Sequence, residues 1–427
     1  MKIVIALLIF GLIVMIHELG HFLLAKKNGI TVSEFSIGMG PRLFSFVKRG
    51  TRYSLKLFPI GGSCAMGEDD PESLDEGAFN NKNVWARIST IFAGPFFNFV
   101  LAFLLSLIVV GIAGYDRAEI MVVPEGSNAK AAGLQVGDII TEIDGKSVKF
   151  SRDIVLYTDM IGISTEPFTI KFTRDGESMT TTYTPSYVKK YMLGFHYYPG
   201  SSEVNTVTPN SAMADAGVEA GDTITKINGV ALTADYTLSE YLEDYPLQGE
   251  EIEIEYKHKD NIKTAKLTPR MTELYDLDFG YNVGYEKTDF LSTIRYSFSN
   301  VRYWIEATVR SLGKLFTGQV GTDELGGPVR IVDELGSVVD EKDEIGMKNV
   351  ILTLLGWAIL LSANLGVMNL LPIPALDGGR LVFLIIEAVR GKPISREKEG
   401  YVHGIGFILL MILMVFIFFN DLKNIFF

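Results

Sequence analysis

An apolar run from Ile3 to Ala25 carries three ionisable side chains near its end, in the order His17-Glu18-Leu19-Gly20-His21. No other stretch restricts the fold so strongly. At 1.5 Å per residue, about 23 apolar residues span the ~30 Å hydrocarbon core of a bilayer as one helix. Ionisable groups at that depth cost about 2.5–3.5 kcal/mol each, so they persist only where they face protein or water and have partners. His17 and His21 are four apart, share one helix face and could grip one metal ion. Glu18 lies beside them, where it could act on water at that ion. Met1-Lys2 imitates the start of a signal peptide, but the run is too long and no small-residue cleavage site follows. The expectation is a retained membrane helix bearing a zinc site. The plainer alternative is two helix histidines hydrogen-bonded to a neighbouring helix, with Glu18 at a water-filled crevice.

Three further stretches are long and apolar enough to cross a membrane, at about 88–113, 350–371 and 404–419. The last is short and would need little tilt or a thinned bilayer. Lys26, Lys27, Arg42, Lys48, Arg49, Arg52 and Lys56 lie between the first two stretches. Arg380, Arg390, Lys392, Arg396 and Lys398 lie between the last two. Positive-inside bias predicts that both loops are cytoplasmic, with residues 115–349 and both termini outside. Between residues 115 and 287 there are 16 basic and 28 acidic side chains, which account for the whole formal charge of −12. No large basic patch exists, so nucleic acid is not an expected partner. The single cysteine, Cys64, excludes an intrachain disulfide framework.

Local patterns place the remaining elements. In the first loop, Tyr53, Leu55 and Leu57 alternate with Ser54, Lys56 and Phe58 as a strand, and Gly61-Gly62 reads as a turn. On the residues alone this is a surface hairpin, followed by a solvated acidic loop from Glu68 to Glu76. The second helix carries Ala93-Gly94-Pro95-Phe96-Phe97-Asn98, whose glycine and proline permit close packing or a kink. Asn98 is expected to make an interhelix hydrogen bond. Residues 290–316 set Phe290, Ile294, Phe298, Val301, Ile305, Val309, Leu312 and Phe316 on one face, an amphipathic helix lying at the membrane interface or against the bundle. A loop over residues 325–329 and an exposed acidic stretch from Asp333 to Glu344 are expected after it.

The acidic region contains an internal repeat. Residues 127–145 and 211–229 match at a constant offset of 84, each with a short helix closed by Ala-Gly, a Gly-Asp pair, then a strand ending in Asp-Gly or Asn-Gly. The pattern resembles the PDZ domains of bacterial membrane and periplasmic proteases, which bind extended peptides by strand addition. By that resemblance Leu193-Gly194-Phe195 is the peptide-cradling loop of the first domain, and Phe279-Gly280-Tyr281 that of the second. Either groove is occupied by peptide or the domains act as steric plugs.

The third membrane stretch runs into Asn369-Leu370-Leu371-Pro372-Ile373-Pro374-Ala375-Leu376-Asp377-Gly378-Gly379. Two prolines one residue apart cannot stay in a regular helix, and in a membrane such unwinding is tolerated only beside protein or water. Asp377 alone would read as a helix cap. With the histidine pair it would supply a third ligand, leaving the fourth position of zinc for water.

These motifs together, with residues 312–318, 325–329 and Phe419-Asn420-Asp421, resemble the site-2 protease family, and within it the bacterial RseP branch with tandem PDZ domains. The likeness covers essentially the whole chain. It implies that His17, His21 and Asp377 bind one catalytic Zn2+ per chain and that Glu18 is the general base. It implies that Asn369 orients substrate. Residues 52–66, with Leu57, Gly61 and Gly62, would form a membrane-associated β-hairpin that pairs with the substrate backbone. The implied fold is a core of four transmembrane helices with two extracytoplasmic α+β PDZ-like domains. The expected boundaries are 1–25, 26–87, 88–114, 115–200, 201–287, 288–349 and 350–427. The implied substrates are single-pass membrane proteins, such as anti-sigma factors, and signal-peptide remnants, in the bacterial cytoplasmic membrane. A non-catalytic PDZ adaptor that retains a metal site stays open on the residues alone.

Overall fold

The structure, a computed structural model, describes residues 2–66, 76–161, 166–197, 201–208, 210–233, 236–259, 261–317, 326–340 and 342–426. The chain divides into two units. One comprises Met1–Arg117, Lys149–Leu156 and Val283–Phe427, and the other Ala118–Val148 and Tyr157–Asn282.

In the first unit the apolar runs form helices α1 (Lys2–Lys27), α2 (Val84–Ala113), α3 (Phe290–Phe316), α4 (Pro328–Asp340), α5 (Met347–Leu370), α6 (Asp377–Arg390) and α7 (Arg396–Phe426). Among the described residues four helices, α1, α2, α5 and α7, are long and apolar enough to cross a membrane. The fourth is not short as expected, because the polar flank from Arg396 to His403 continues the helix. Between membrane helices the hydrophobic effect offers little, so close contact depends on small residues. Gly20 of α1 abuts α2, where a Cβ would stand 2.3 Å from the Ala93 carbonyl oxygen. Gly366 of α5 meets the ring of Phe99 in the same way.

Helix α3 is bonded into the bundle through its polar side. Asn300 Nδ2 donates to Ser106 Oγ of α2 at 2.8 Å, and Thr308 bonds Asn364 of α5. Phe290, Phe298 and Phe316 on its apolar face are left 61–77% exposed. Val301 of the apolar face is nonetheless 7% exposed in a core shared with α2 and α5, so the helix lies against the bundle, one of its two expected placements.

Helix α4 corrects an expectation. Pro328 and Val329, expected in a loop, begin a helix, where the proline's missing N–H costs nothing, while Asp333, Glu334 and Asp340 along it are exposed as expected. Asp421 of α7, buried at 1% exposure, accepts the N–H groups of Gly327, Val329 and Arg330 at 2.8, 3.0 and 3.2 Å. That carboxylate satisfies three donors that a helix start otherwise leaves unpaired. The acidic stretch from Glu68 lies outside the described residues, except Glu76.

The segment between α1 and α2 forms strands β1 (Glu34–Lys48) and β2 (Thr51–Ala65), paired antiparallel. The turn between them is at Arg49-Gly50, both with positive φ. Gly61-Gly62 is not the turn. It lies inside β2, where Gly62 pairs with Ile37. Both strands fold back, so residues 34–37 are flanked on one side by 52–55 and on the other by 62–65. Arg42 Nε and Ser54 Oγ donate to Glu34 at 2.8 and 2.6 Å, and hold its carboxyl at about 2. Phe22, one residue after His21, packs its ring 5.1 Å from Phe35 and 5.9 Å from Tyr53, fastening the sheet to α1.

The second unit holds the repeats. Each has a serine cap, Ser127 on Lys130 N–H and Ser211 on Ala214 N–H. Each ends its first strand in a two-residue turn with positive φ at both positions, Asp144-Gly145 and Asn228-Gly229. Each builds a four-stranded sheet of the same order. The second repeat buries Ile224, Ile227, Leu238 and Ile254 at 0–1% exposure, each contributing roughly 1.5–3 kcal/mol.

The repeats are nested, not consecutive, which corrects the boundary at 200/201. The strand Gly280–Tyr281 pairs with Ile120–Val122, and Asn282 N–H bonds Glu119 O, so the end of the region completes the first repeat. The strand Phe195–Tyr197 pairs with Val204–Val207 of the second. Leu193 is 3% exposed in the second repeat's core, Gly194 O accepts Thr208 N–H, and Phe195 packs on the same core. The assignment of Leu193-Gly194-Phe195 to the first repeat and Phe279-Gly280-Tyr281 to the second is therefore exchanged. A joining ladder, Ser186–Met192 with Arg270–Asp276, brackets the inserted repeat.

Candidate metal centre

Helix α1 needs only its own period to bring its two imidazoles together. His17 Nε2 and His21 Nε2 are 3.1 Å apart, both residues buried. The neighbouring face of α2 is shaped around them. A Cβ on Gly94 would stand 2.3 Å from His21 Nε2 and 2.9 Å from His17 Cε1, so no larger residue fits there. Thr90, one turn earlier, offers its backbone carbonyl to His21 Nδ1 at 2.9 Å. That bond fixes the proton on Nδ1 and turns the Nε2 lone pair inward. Asn98, one turn later, lies 3.2 Å from His17 Nδ1 through its amide, the interhelix bond expected of it, but made to a histidine of the pair. Its Oδ1 lacks a hydrogen-bond partner as oriented, and turning the amide over lets Oδ1 accept Nδ1–H, which gives His17 the same tautomer as His21.

The third side chain arrives from a broken helix. Helix α5 stops at Leu370, and residues 371–376 unwind through both prolines before α6 begins at Asp377. Gly378 and Gly379 do not serve backbone freedom, since both are helical. They serve close approach, because a Cβ on Gly378 would stand 2.0 Å from Leu371 O and one on Gly379 2.5 Å from Ile373 O. Asp377 Oδ2 lies 3.1 Å from His17 Nε2 and 3.3 Å from His21 Nε2. Among the described residues this is the one group of three His, Cys, Asp or Glu side chains whose ligand atoms converge. Further along α6, Glu387 accepts from Nη1 and Nη2 of buried Arg87 from α2, the first at 3.1 Å. A cavity of about 930 Å³ reaches Asp377 between Arg87, Arg380, Phe383 and His403.

The other expected site residues are placed less uniformly. Glu18 stands outside the triad, beside Gly62, whose Cβ would stand 3.0 Å from Glu18 Cγ. Gly61, at positive φ, packs on the side chain of Met39. Leu57 is 48% exposed in β2, and Asn369 is half-buried in the last turn of α5.

The sequence profile of peptidase family M50 matches residues 5–413. The chain belongs to peptidase family M50. It is 35% identical over 439 residues to the zinc metalloprotease RasP of Bacillus licheniformis, covering 98% of each chain. It is 33% identical over 438 residues to the regulator of sigma-W protease RasP of Bacillus subtilis, again covering 98% of each. It is 32% identical over 446 residues to the regulator of sigma-E protease RseP of Escherichia coli, covering 97% of this chain and 96% of that one. As an M50 protein it is a site-2-type zinc metalloprotease, acting within the membrane.

The triad fits the family's metal. Zinc with four tetrahedral ligands at about 2.0–2.2 Å sets those ligands about 3.3–3.6 Å apart, close to the 3.1–3.3 Å found here. Oδ2 of Asp377 is also buried without a hydrogen-bond partner, as an atom meant for a cation would be. Sequence reasoning missed Thr90, Gly94, Arg87 and Glu387 as parts of this M50 site. Thr90 acts through a carbonyl that every residue carries, so nothing in the sequence could have marked it.

Proposed function

We propose that His17, His21 and Asp377 hold one zinc ion and that Glu18 is the general base of an intramembrane endopeptidase. The observation that carries this is the convergence of three lone-pair atoms at 3.1–3.3 Å, which repel one another unless a cation lies among them. A zinc ion there supplies Lewis acidity, which makes water a competent nucleophile near pH 7. Glu18 takes the proton released by the attacking water and delivers it to the leaving amide nitrogen. Gly62, with no side chain between them, lets the 62–65 strand approach Glu18. A substrate helix must unwind before its backbone is accessible, and that strand edge offers backbone groups for the unwound segment to pair with. Leu57 and Gly61 border the same sheet, and Asn369 orients the substrate from the end of α5.

We place the chain in a bacterial cytoplasmic membrane, with the sheet and metal centre toward the cytoplasm and the acidic repeats and both termini outside. The loop charges support this orientation. The repeats are PDZ-like domains that exclude bulky outer domains. Names of relatives that regulate sigma-W and sigma-E support anti-sigma factors, single-pass membrane proteins, as substrates. Glu18→Gln is expected to keep zinc and lose cleavage of a single-pass substrate by at least 100-fold. Retained turnover removes Glu18 as the base. Deleting residues 119–282 is expected to admit substrates with intact outer domains, and their continued exclusion removes the filter.

A further inference from the structure

The unwound segment that delivers Asp377 does not support itself. Prolines remove two donors, and Ala375 sits at φ +77°, a region an alanine rarely adopts. Its support comes from α7. A Cβ on Gly406 would stand 2.4 Å from Pro374 Cβ and 2.6 Å from Pro374 O, so the helix backbone rests directly on that proline. Three residues earlier, on the same helix face, His403 Nδ1 accepts the Ala375 N–H at 2.8 Å. A backbone N–H can only donate, so the imidazole presents a lone pair at Nδ1 and carries its proton on Nε2. The ring also packs on Phe383 of α6, centroids 5.5 Å apart. Among the described residues of α7 only Gly406 and Asp421 are buried, and Asp421 is spent on the start of α4. Its grip on the break is therefore concentrated at His403 and Gly406.

We infer that His403 is a positioning residue for the metal centre. Through the Ala375 amide, with Gly406 seating the helix on Pro374, α7 fixes the segment that aims the Asp377 carboxylate at the two imidazoles. The inference rests on Asp377 being a zinc ligand. It requires a hydrogen-bond acceptor at position 403. An unsupported break lets Asp377 swing, so zinc leaves more readily and the chemical step slows, while substrate still docks.

The test uses the full-length protein in detergent, with zinc affinity read by competition against a chelator. Thermal midpoint of the zinc-free protein and kcat and KM on a single-pass substrate are read alongside. His403→Phe keeps a ring against Phe383 and removes the acceptor. It is expected to weaken zinc about tenfold and lower kcat with KM unchanged, leaving the zinc-free midpoint in place. His403→Asn, which restores an acceptor, is expected to recover most of both. Gly406→Ala, which displaces Pro374, is expected to weaken zinc similarly, and it stands in if His403→Phe does not fold. Asp377→Ala is the control and should lose zinc far more severely. Wild-type zinc affinity in His403→Phe and Gly406→Ala, with Asp377→Ala impaired, overturns the inference and leaves the ligand reading intact. A lowered zinc-free midpoint that accounts for the whole loss also overturns it. Undiminished zinc in Asp377→Ala overturns the ligand reading itself.

Discussion

The proposed metal centre is assembled from two dissimilar halves. The histidines of α1 sit in an uninterrupted helix, and one helical turn aligns them. Asp377 comes from a break that requires Gly378 and Gly379 packed on carbonyls, a glycine and a histidine of α7, and an ion pair back to α2. The first half is a local property of the chain, the second a tertiary one. Damage to the tertiary half should therefore come from many positions, most of them without metal-binding chemistry.

The largest effect is expected where α2 makes room for the histidine half. Gly94→Ala puts a methyl 2.3 Å from His21 Nε2, against backbone-fixed rings, and should lower zinc affinity more than 100-fold, read by chelator competition. Wild-type affinity there would mean that the imidazoles have room the structure denies them. Next is the anchor of α6. Arg87→Gln strands Glu387 and should cost about 3 kcal/mol in thermal or denaturant unfolding, with much of the loss recovered in the Arg87→Gln/Glu387→Gln double variant. A double variant as unstable as the single would show that the arginine stem matters more than the charge.

Asn98→Ala probes the local half. It removes the bond that orients His17 and should weaken zinc about tenfold, with little change in the zinc-free midpoint. The smallest effect lies in the sheet beside Glu18. Glu34 is held at about 2, below its ordinary 4.5, by Arg42 and Ser54. A carboxyl depressed on folding stabilises fully above its unfolded value and loses that contribution as pH falls toward the folded one. The stability gap between wild type and Glu34→Gln should therefore be under about 1 kcal/mol at pH 7 and close between about pH 4.5 and 2. A gap that widens on acidification would show that Glu34 is not the stapled group.

What could be read from the residues follows the same division. The four long apolar helices, the histidine pair, the break at Pro372 and Pro374 and the repeats announce themselves through spacing, because periodicity and proline chemistry are local. Gly61-Gly62 read as a turn since paired glycines usually are one, yet the strand continues through them and Gly62 makes room for Glu18. Gly94 and Gly406 look like any membrane-helix glycine until the side chains they accommodate are known. The nesting of the repeats was hidden because two copies at a constant offset look consecutive, and only strand pairing shows that Gly280–Tyr281 returns to the first. The helix at Pro328–Asp340 was missed because its capping carboxylate, Asp421, lies more than 90 residues downstream.

X-ray absorption at the zinc edge of the purified full-length protein addresses the central claim most directly. Two imidazole nitrogens and one carboxylate oxygen at about 2.0–2.2 Å are expected in wild type, and Asp377→Ala loaded with excess zinc should lack the carboxylate. A first shell containing sulfur, fewer than two imidazoles, or one unchanged by Asp377→Ala would contradict it.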